Sequence, residues 1–270
     1  MRLIAVLFVG TIAALPVAAA DAAPVHYAGT ELGSLGSPLV FTVDGSHVSG
    51  LVYYGVPGNR CPELEGLRIT LVGYKLPQTG TRQGDRINLV YEQPDSRFEF
   101  SGTLGGHGAK GTLHATVHGC DLGERQWQAV APGATTSASR RKRSAPRAGR
   151  WVGTDPAGHA AVSFTVRHKA MSDVRVVSFL DCKDTNDTSL NLTSFWMRPT
   201  FRIGIAKGKF LGALIPGANF YVTGPYDFRL TVDGRIGANR AKGRATLALG
   251  RLNSPPDCYG KMSFTAQPLS

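Results

Sequence analysis

The densest group of chemically active side chains in the sequence is a run of four consecutive basic residues, Arg140-Arg141-Lys142-Arg143. Residues 132–150 hold six basic and no acidic side chains, residues 24–131 carry a net charge of −2, and residues 151–270 carry a net charge of +7. Exposed positive charge attracts polyanions such as wall polymers, acidic polysaccharides and anionic lipids. We therefore expect Arg140, Arg141, Lys142 and Arg143 to contact a polyanion. The alternative is that they only keep a linker soluble and extended.

Nucleic acid is not indicated as a specific partner. The sequence contains no known nucleic-acid-binding motif, and no aromatic residues are interleaved with the basic run. Stacking on single strands requires such aromatic residues. A further interpretation of the run is proteolytic processing, because exposed basic linkers are readily cut.

The candidate catalytic and dinucleotide motifs fail on local grounds. Residues Gly106–Gly111 match the dinucleotide pattern G-x-G-x-x-G. That chemistry needs a helix after the glycines, but residues 112–118 alternate like a strand, and we predict a hairpin turn. His47 lies near Ser46 and Ser49 at another predicted turn, and no acidic residue can be assigned to orient it. We therefore predict no catalytic residues and no enzyme activity.

The candidate metal ligands fail on spacing. His114 and His118 would share the outer face of one strand, but four residues along a strand span about 13 Å, too far for one metal ion. Asp181, Asp184 and Asp187 lack the glycine and the terminal glutamate of a helix-loop-helix calcium site. We predict neither a metal nor a cofactor.

The N-terminal residues indicate export. Arg2 precedes an apolar run from Leu3 through Ala20, and small residues that fit an A-x-A cleavage site follow. This pattern is typical of a secretory signal peptide, which we assign to residues 1–22. A membrane anchor is the alternative, and Pro16 disfavours it. We expect the mature protein to lack a transmembrane segment and to be secreted or held in the cell envelope.

Two halves of the chain repeat one order of features. An aromatic-x-Gly-Thr opening, a Phe-Thr-Val segment, a central cysteine, an Ala-Lys-Gly triplet, a late cysteine and a closing aromatic-x-Ala occur in residues 24–131 and again in residues 150–270. We interpret these halves as two diverged copies of one domain, joined by a flexible basic linker over residues 132–149. Because the linker has no apolar anchor, we expect no fixed interface between the copies.

The four cysteines lie two in each copy. An even number of cysteines in an exported chain indicates disulfides. Since each copy had to be complete on its own, we predict that Cys61 bonds to Cys120 and Cys182 bonds to Cys258.

Short alternating segments with glycine-containing turns recur in both copies and predict an all-β fold of two tandem antiparallel domains. A round eight-stranded barrel would hold the two cysteines of a copy on opposite sides of its lumen, whereas a disulfide needs Cα atoms within about 7 Å. We therefore expect each domain to be a flattened barrel or a two-sheet sandwich with one internal disulfide.

The shared features resemble small β-rich domains of uncharacterised exported actinobacterial proteins, in which they occur singly or in tandem. The resemblance rests on the openings at Tyr27 and Trp151, the Ala-Lys-Gly triplets, the paired cysteines and the closing aromatic residues, and it covers both copies. It implies export and an all-β fold. It implies no activity, so no functional residue is carried over.

Three functions from different classes remain open. The expected function is a non-catalytic secreted or envelope module that binds a polymer, such as an anionic wall polymer, or an extracellular protein, with two tethered domains providing avidity. The first alternative is a carrier that holds a small apolar ligand inside a barrel. The second is a hydrolase whose site the sequence does not reveal.

Overall fold

A computed structural model describes residues 23–33, 36–55, 69–72, 80–94, 96–106, 108–117, 120–131, 145–182, 192–197, 201–214, 226–251 and 258–269. Within these residues the secondary structure consists of β-strands, as predicted, and no helix long and apolar enough to cross a bilayer is present there. The strands of the first half are β1 (Val25–Glu31), β2 (Pro38–Asp44), β3 (His47–Gly55), β4 (Ile69–Val72), β5 (Gly80–Gln83), β6 (Arg86–Gln93), β7 (Ser96–Leu104), β8 (Gly108–Val117) and β9 (Cys120–Val130).

The second half contributes ten strands to the described residues. They are β10 (Gly149–Thr154), β11 (Ala161–Arg167), β12 (Ala170–Phe179), β13 (Asp181–Cys182), β14 (Leu192–Met197), β15 (Ile203–Ala206), β16 (Lys209–Leu214), β17 (Tyr226–Ile236), β18 (Ala241–Arg251) and β19 (Cys258–Pro268).

Each half closes into an eight-stranded antiparallel barrel. The ring of the first barrel runs β1-β2-β3-β5-β6-β7-β8-β9 and back to β1, and the ring of the second runs β10-β11-β12-β15-β16-β17-β18-β19 and back to β10. The short strands β4 and β14 pair with β3 and β12 at equivalent places. The sandwich alternative is therefore wrong, because backbone hydrogen bonds close each sheet on itself.

A disulfide joins Cys182 to Cys258, as predicted. The expectation that a round barrel would keep the two cysteines apart was wrong. The pairing of β12 with β11 ends at Val177, and the chain then continues into β13, which pairs with the start of β19. Gly260 allows this approach, since a Cβ atom there would lie 2.6 Å from the Phe179 carbonyl oxygen. Cys120 is also disulfide-bonded, but Cys61 lies outside the described residues, so the Cys61–Cys120 pairing stays a prediction.

Aromatic side chains fill the barrel interiors and explain the Ala-Lys-Gly triplets. In the first barrel Gly111 faces Gly102 across β7 and β8, and a Cβ atom at Gly102 would lie 2.6 Å from the Trp127 ring. In the second barrel a Cβ atom at Gly243 would lie 2.5 Å from the Phe264 ring. Gly102 and Gly243 are therefore needed because a large ring lies against the strand, whereas Gly111 is needed because a Cβ atom there would clash with the Ser101 carbonyl oxygen.

An apolar interface joins the two barrels. Outward-facing residues of both halves pack into one buried cluster, formed by Ala28, Val40, Val52, Val130, Val152, Ala161 and Val177. At the edges of this cluster the Arg150 side chain donates a hydrogen bond of 2.7 Å to the Gly36 carbonyl, and the Gln267 side chain donates one of 2.9 Å to the Ala131 carbonyl. The expectation that the halves share no fixed interface was wrong.

Candidate functional site: a basic rim on the second barrel

Three hairpins of the second barrel end at the same rim. The turn after β11 lies beside the turn after β15, because the Ile205 amide donates to the Lys169 carbonyl at 2.8 Å. The latter turn adjoins the end of β17, because the Ile236 amide donates to the Gly208 carbonyl at 2.8 Å. The end of the predicted linker is fixed here too, since the Arg147 amide donates to the Ala238 carbonyl at 3.0 Å.

This rim carries eight exposed lysine and arginine side chains, which we name the basic rim. Described residues 145–150, 166–171, 204–209, 234–242 and 266–269, which form this end of the barrel, contain no acidic side chain. The neighbouring Asp173 forms ion pairs with Arg150 and Arg175. The members of the basic rim are Arg147, Arg167, Lys169, Lys207, Lys209, Arg235, Arg240 and Lys242.

Three members of the basic rim are directly opposite one another across adjacent strands. Lys209 of β16 pairs in register with Arg235 of β17, and Arg235 pairs with Lys242 of β18. All three side chains are exposed on the outer face, since their chain neighbours Phe210, Ile236 and Ala241 are buried. Like charges directly opposite each other destabilise a sheet. The arrangement therefore costs folding free energy and calls for a functional explanation.

The turns of the basic rim place lysines in an unfavourable backbone region. Lys169 has φ of 60° and Lys207 has φ of 51°, in the left-handed region where glycine and asparagine are favoured. In the first barrel Gly84 occupies the position equivalent to Lys207, and Gly45 occupies the position equivalent to His168, whose φ is 48°. Ser46 is the equivalent of Lys169. The second barrel thus carries cationic side chains where the backbone favours glycine.

The equivalent rim of the first barrel provides an internal comparison. Its corresponding cross-strand row is Arg86, Thr103 and Lys110, so an uncharged side chain separates the two cations. The turns at this rim also contain the acidic residues Asp44 and Asp85. The same strand arrangement therefore exists without a continuous row of positive charge.

The sequence-predicted polyanion contacts Arg140, Arg141, Lys142 and Arg143 lie outside the described residues. The expectation that these four side chains contact a polyanion therefore stays a prediction. Sequence reasoning missed the rim itself, because its members are dispersed along the chain and meet only through strand pairing. The net charge of the second half was the available signal.

The remaining sequence candidates lie apart from the basic rim. His114 Nε2 lies 2.8 Å from an Asp121 carboxylate oxygen on the surface of the first barrel, whereas His118 lies outside the described residues. His47 contacts Ser46 at 3.4 Å and is exposed. Asp181 is exposed in β13, and Asp184 and Asp187 lie outside the described residues. In the described part of the chain, no three potential metal ligands come together.

The glycine-rich candidate that begins at Gly106 lies in a hairpin turn, as predicted. Strand β7 ends at Leu104 and β8 begins at Gly108, and the Gly105 amide donates to the Gly108 carbonyl at 2.7 Å. No helix follows these glycines, so the arrangement of a dinucleotide-binding loop is not formed.

A buried ionic cluster near one end of the first barrel was not anticipated from the sequence. Glu31, which is 7% exposed, accepts hydrogen bonds from the Tyr53 hydroxyl at 3.0 Å and from Arg125 at 3.2 Å. Burial, and after it the negative charge of Glu31, raises the pKa of Tyr53 well above its ordinary value. The carboxylate is thus satisfied by two donors, and the cluster has the properties of a structural ion pair.

A second ionic cluster lies at the inter-barrel interface. The Asp173 carboxylate binds Arg150 and also Arg175, at 3.2 Å from the latter. Burial lowers the pKa of the Arg175 guanidinium, and the neighbouring Asp173 charge counteracts this effect. Arg150 also bonds to Gly36 of the other barrel, so this cluster links the two halves.

Comparison with known proteins does not identify the chain. No protein-family model matches it, and no curated protein sequence matches it. A crystal structure of a Bacteroides fragilis protein, provisionally described as an outer membrane protein, is 11% identical over 92% of this chain and 97% of that chain, with a TM-score of 0.25. At this TM-score the similarity carries no argument about function.

Proposed function

We propose that this is a non-catalytic protein of the cell envelope or extracellular space that binds an anionic polymer on the basic rim of its second barrel. The observation that carries the proposal is the row Lys209, Arg235 and Lys242, in which like charges face each other in register. Such a row destabilises the isolated sheet, and a polyanion bound across it would neutralise the repulsion.

Two further features support this proposal. The predicted polyanion contacts Arg140–Arg143 precede Arg147, a member of the basic rim, by only four to seven residues in the sequence. The barrel interiors contain buried aromatic side chains in mutual contact, for example Phe100 stacked on Trp127 at 4.4 Å between ring centroids. This packing gives no support to the alternative of a carrier for a small apolar ligand.

Binding of the full-length chain to a heparin-like anionic resin and to an uncharged resin of the same matrix tests the proposal. We expect retention on the anionic resin alone. For linear polyelectrolytes each neutralised charge adds roughly 0.7–0.9 to the slope of log K against log salt. Three contacts therefore predict a loss of about 20- to 40-fold in affinity for a fourfold rise in salt.

A variant in which Arg140, Arg141, Lys142 and Arg143 are all replaced by Gln separates the linker from the rim. We expect weaker retention with an unchanged thermal midpoint, because the sequence predicts a linker here and linker residues contribute little to folding stability. Retention that neither salt nor this substitution alters would contradict the electrostatic proposal.

A further inference from the structure

The central charges of the basic rim form a row that runs across three adjacent strands of the barrel. Lys209, Arg235 and Lys242 occupy paired positions on three consecutive antiparallel strands. Neighbouring strands lie about 4.8 Å apart, so the three positions span about 10 Å at intervals of one strand spacing. A flexible cationic side chain projects outward from each position.

The row is narrow. On the same outer face the next residues away from the rim are Leu211, Asp233 and Arg244, which pair with each other in the adjacent row. Leu211 is 72% exposed, and Arg244 is neutralised by Asp233 at 3.1 Å. The continuous positive charge is therefore confined to the rim and does not extend over the face of the barrel.

The positive charge of the row continues around the basic rim through the hairpin turns. Lys169, Lys207 and Arg240 occupy or flank the turns after β11, β15 and β17. In the described residues of these turns, 168–169, 207–208 and 237–240, there is no large apolar side chain. Proteins that bind at a bilayer interface bury such side chains among the lipids, so the turns are poorly suited to a membrane surface.

We infer that the basic rim takes a linear polyanion with closely and regularly spaced charges, which runs across β16, β17 and β18 with Lys209, Arg235 and Lys242 as its central contacts. This inference rests on the proposed function and narrows its ligand class. A chain with one anionic group per repeating unit, such as a polyuronate, presents its charges one after another, and the row presents one cation on each successive strand. A folded acidic protein or a flat bilayer presents its charges over a surface.

The test measures binding of the full-length protein to polygalacturonate, which has one carboxylate per sugar. Partially methyl-esterified polygalacturonate has the same backbone with fewer charges and is the matched ligand control. Phosphatidylglycerol vesicles are the third probe. The row variant is K209Q/R235Q/K242Q, and the control variant R86Q/K110Q/K261Q removes the same charge at exposed positions away from the row.

We expect the row variant to lose affinity for polygalacturonate by about tenfold or more and to reduce the salt slope by about 2, while the control variant changes affinity by less than about threefold. Esterification should weaken binding to the unsubstituted protein. Far-ultraviolet circular dichroism checks folding, and Arg235→Thr, which introduces the residue found at the equivalent position of the first barrel, serves if the triple variant does not fold.

The remaining outcomes separate the two proposals. Equal losses in the row and control variants would overturn the linear arrangement and leave polyanion binding standing. Equal binding of the esterified polymer would show that charge does not drive binding and would overturn the proposed function. Vesicle binding without polygalacturonate binding would replace the polymer with a membrane surface. Absence of binding to any of the three anionic probes would overturn the proposed function itself.

Discussion

Replacing Arg235 with Thr should stabilise the protein. Arg235 lies directly opposite Lys209 on one side and Lys242 on the other, so the substitution removes two repulsive pairs. A cross-strand charge pair is worth roughly 0.2–1 kcal/mol, and exposure to solvent places these pairs at the lower end. We expect the free energy of unfolding to rise by about 0.5–1 kcal/mol, and the thermal midpoint of a chain of this size to rise by about 1–3 °C.

The reciprocal substitution Thr103→Arg in the first barrel should have the opposite effect. Thr103 is exposed and pairs in register with Arg86 and Lys110, so the new side chain would create a row of three cations. We expect the free energy of unfolding to fall by a similar amount, about 0.5–1 kcal/mol. The pair of variants thus exchanges one electrostatic feature between two barrels of the same strand order.

Differential scanning calorimetry of the full-length variants at low and at high salt is the assay. Threonine favours strands more than arginine does, and this intrinsic preference does not depend on salt. The electrostatic part should therefore be the difference that disappears at about 1 M salt, where the Debye length is about 3 Å. If Arg235→Thr lowers the midpoint at low salt, or if its effect is the same at both salt concentrations, the argument from paired like charges is refuted.

Three other predictions concern pH, the disulfides and the linker. The pKa of Tyr53 is raised in the folded state above the 10.0 of an unfolded tyrosine, so its contribution to stability is complete below pH 10 and is lost as the pH rises beyond that value. Tyr53→Phe should reduce the alkaline loss of stability by up to about 1.4 kcal/mol per pH unit. Equilibrium denaturation at pH 9 to 11 measures this difference. Non-reducing peptide mapping should show Cys61 linked to Cys120 beside the Cys182–Cys258 bridge, and free thiol at Cys61 would contradict the pairing. Trypsin should cut first within Arg140–Arg147, and the two fragments should co-elute in gel filtration because the apolar interface holds them together; separate elution would show that this interface is too weak to hold without the linker.

Local strand structure was largely predictable from the sequence. Segments such as Ser96–Leu104 alternate between buried and more exposed residues and are bounded by turn residues, so they are recognisable as strands with period two. The short strand Gly80–Gln83 carries no such pattern, and the sequence did not predict it. Its position is determined by pairing with β3 and β6 rather than by its own side chains.

The inter-barrel interface could not be predicted because its apolar residues look, in the sequence, like those of any buried strand. Val40 and Val52 face away from their barrel and are fully buried against the other half. In the sequence they are indistinguishable from valines that face a barrel interior. A strand that is apolar on both faces indicates burial on both sides, but it does not identify what covers the outer face.

The candidate site was predictable in its charge and not in its geometry. The net charge of +7 over residues 151–270 indicated a basic second half. That Lys209, Arg235 and Lys242 form a row depends on the register of three strands, and a shift of one residue would turn each side chain to the opposite face. Register is set by the whole barrel, so the row emerges only from the folded structure.

Closure of each barrel by its first and last strands has a consequence for the order of folding. Ala28 pairs with Val130 in the first barrel, and Trp151 pairs with Pro268 in the second. Contacts so distant in sequence make folding slow, and a chain that emerges from its N-terminus cannot complete the first ring before β9 appears. Val40 and Val52 then remain uncovered until the second ring has formed. The nascent protein therefore passes through an intermediate in which the first barrel is folded and its apolar interface surface is exposed. At this stage aggregation competes with folding.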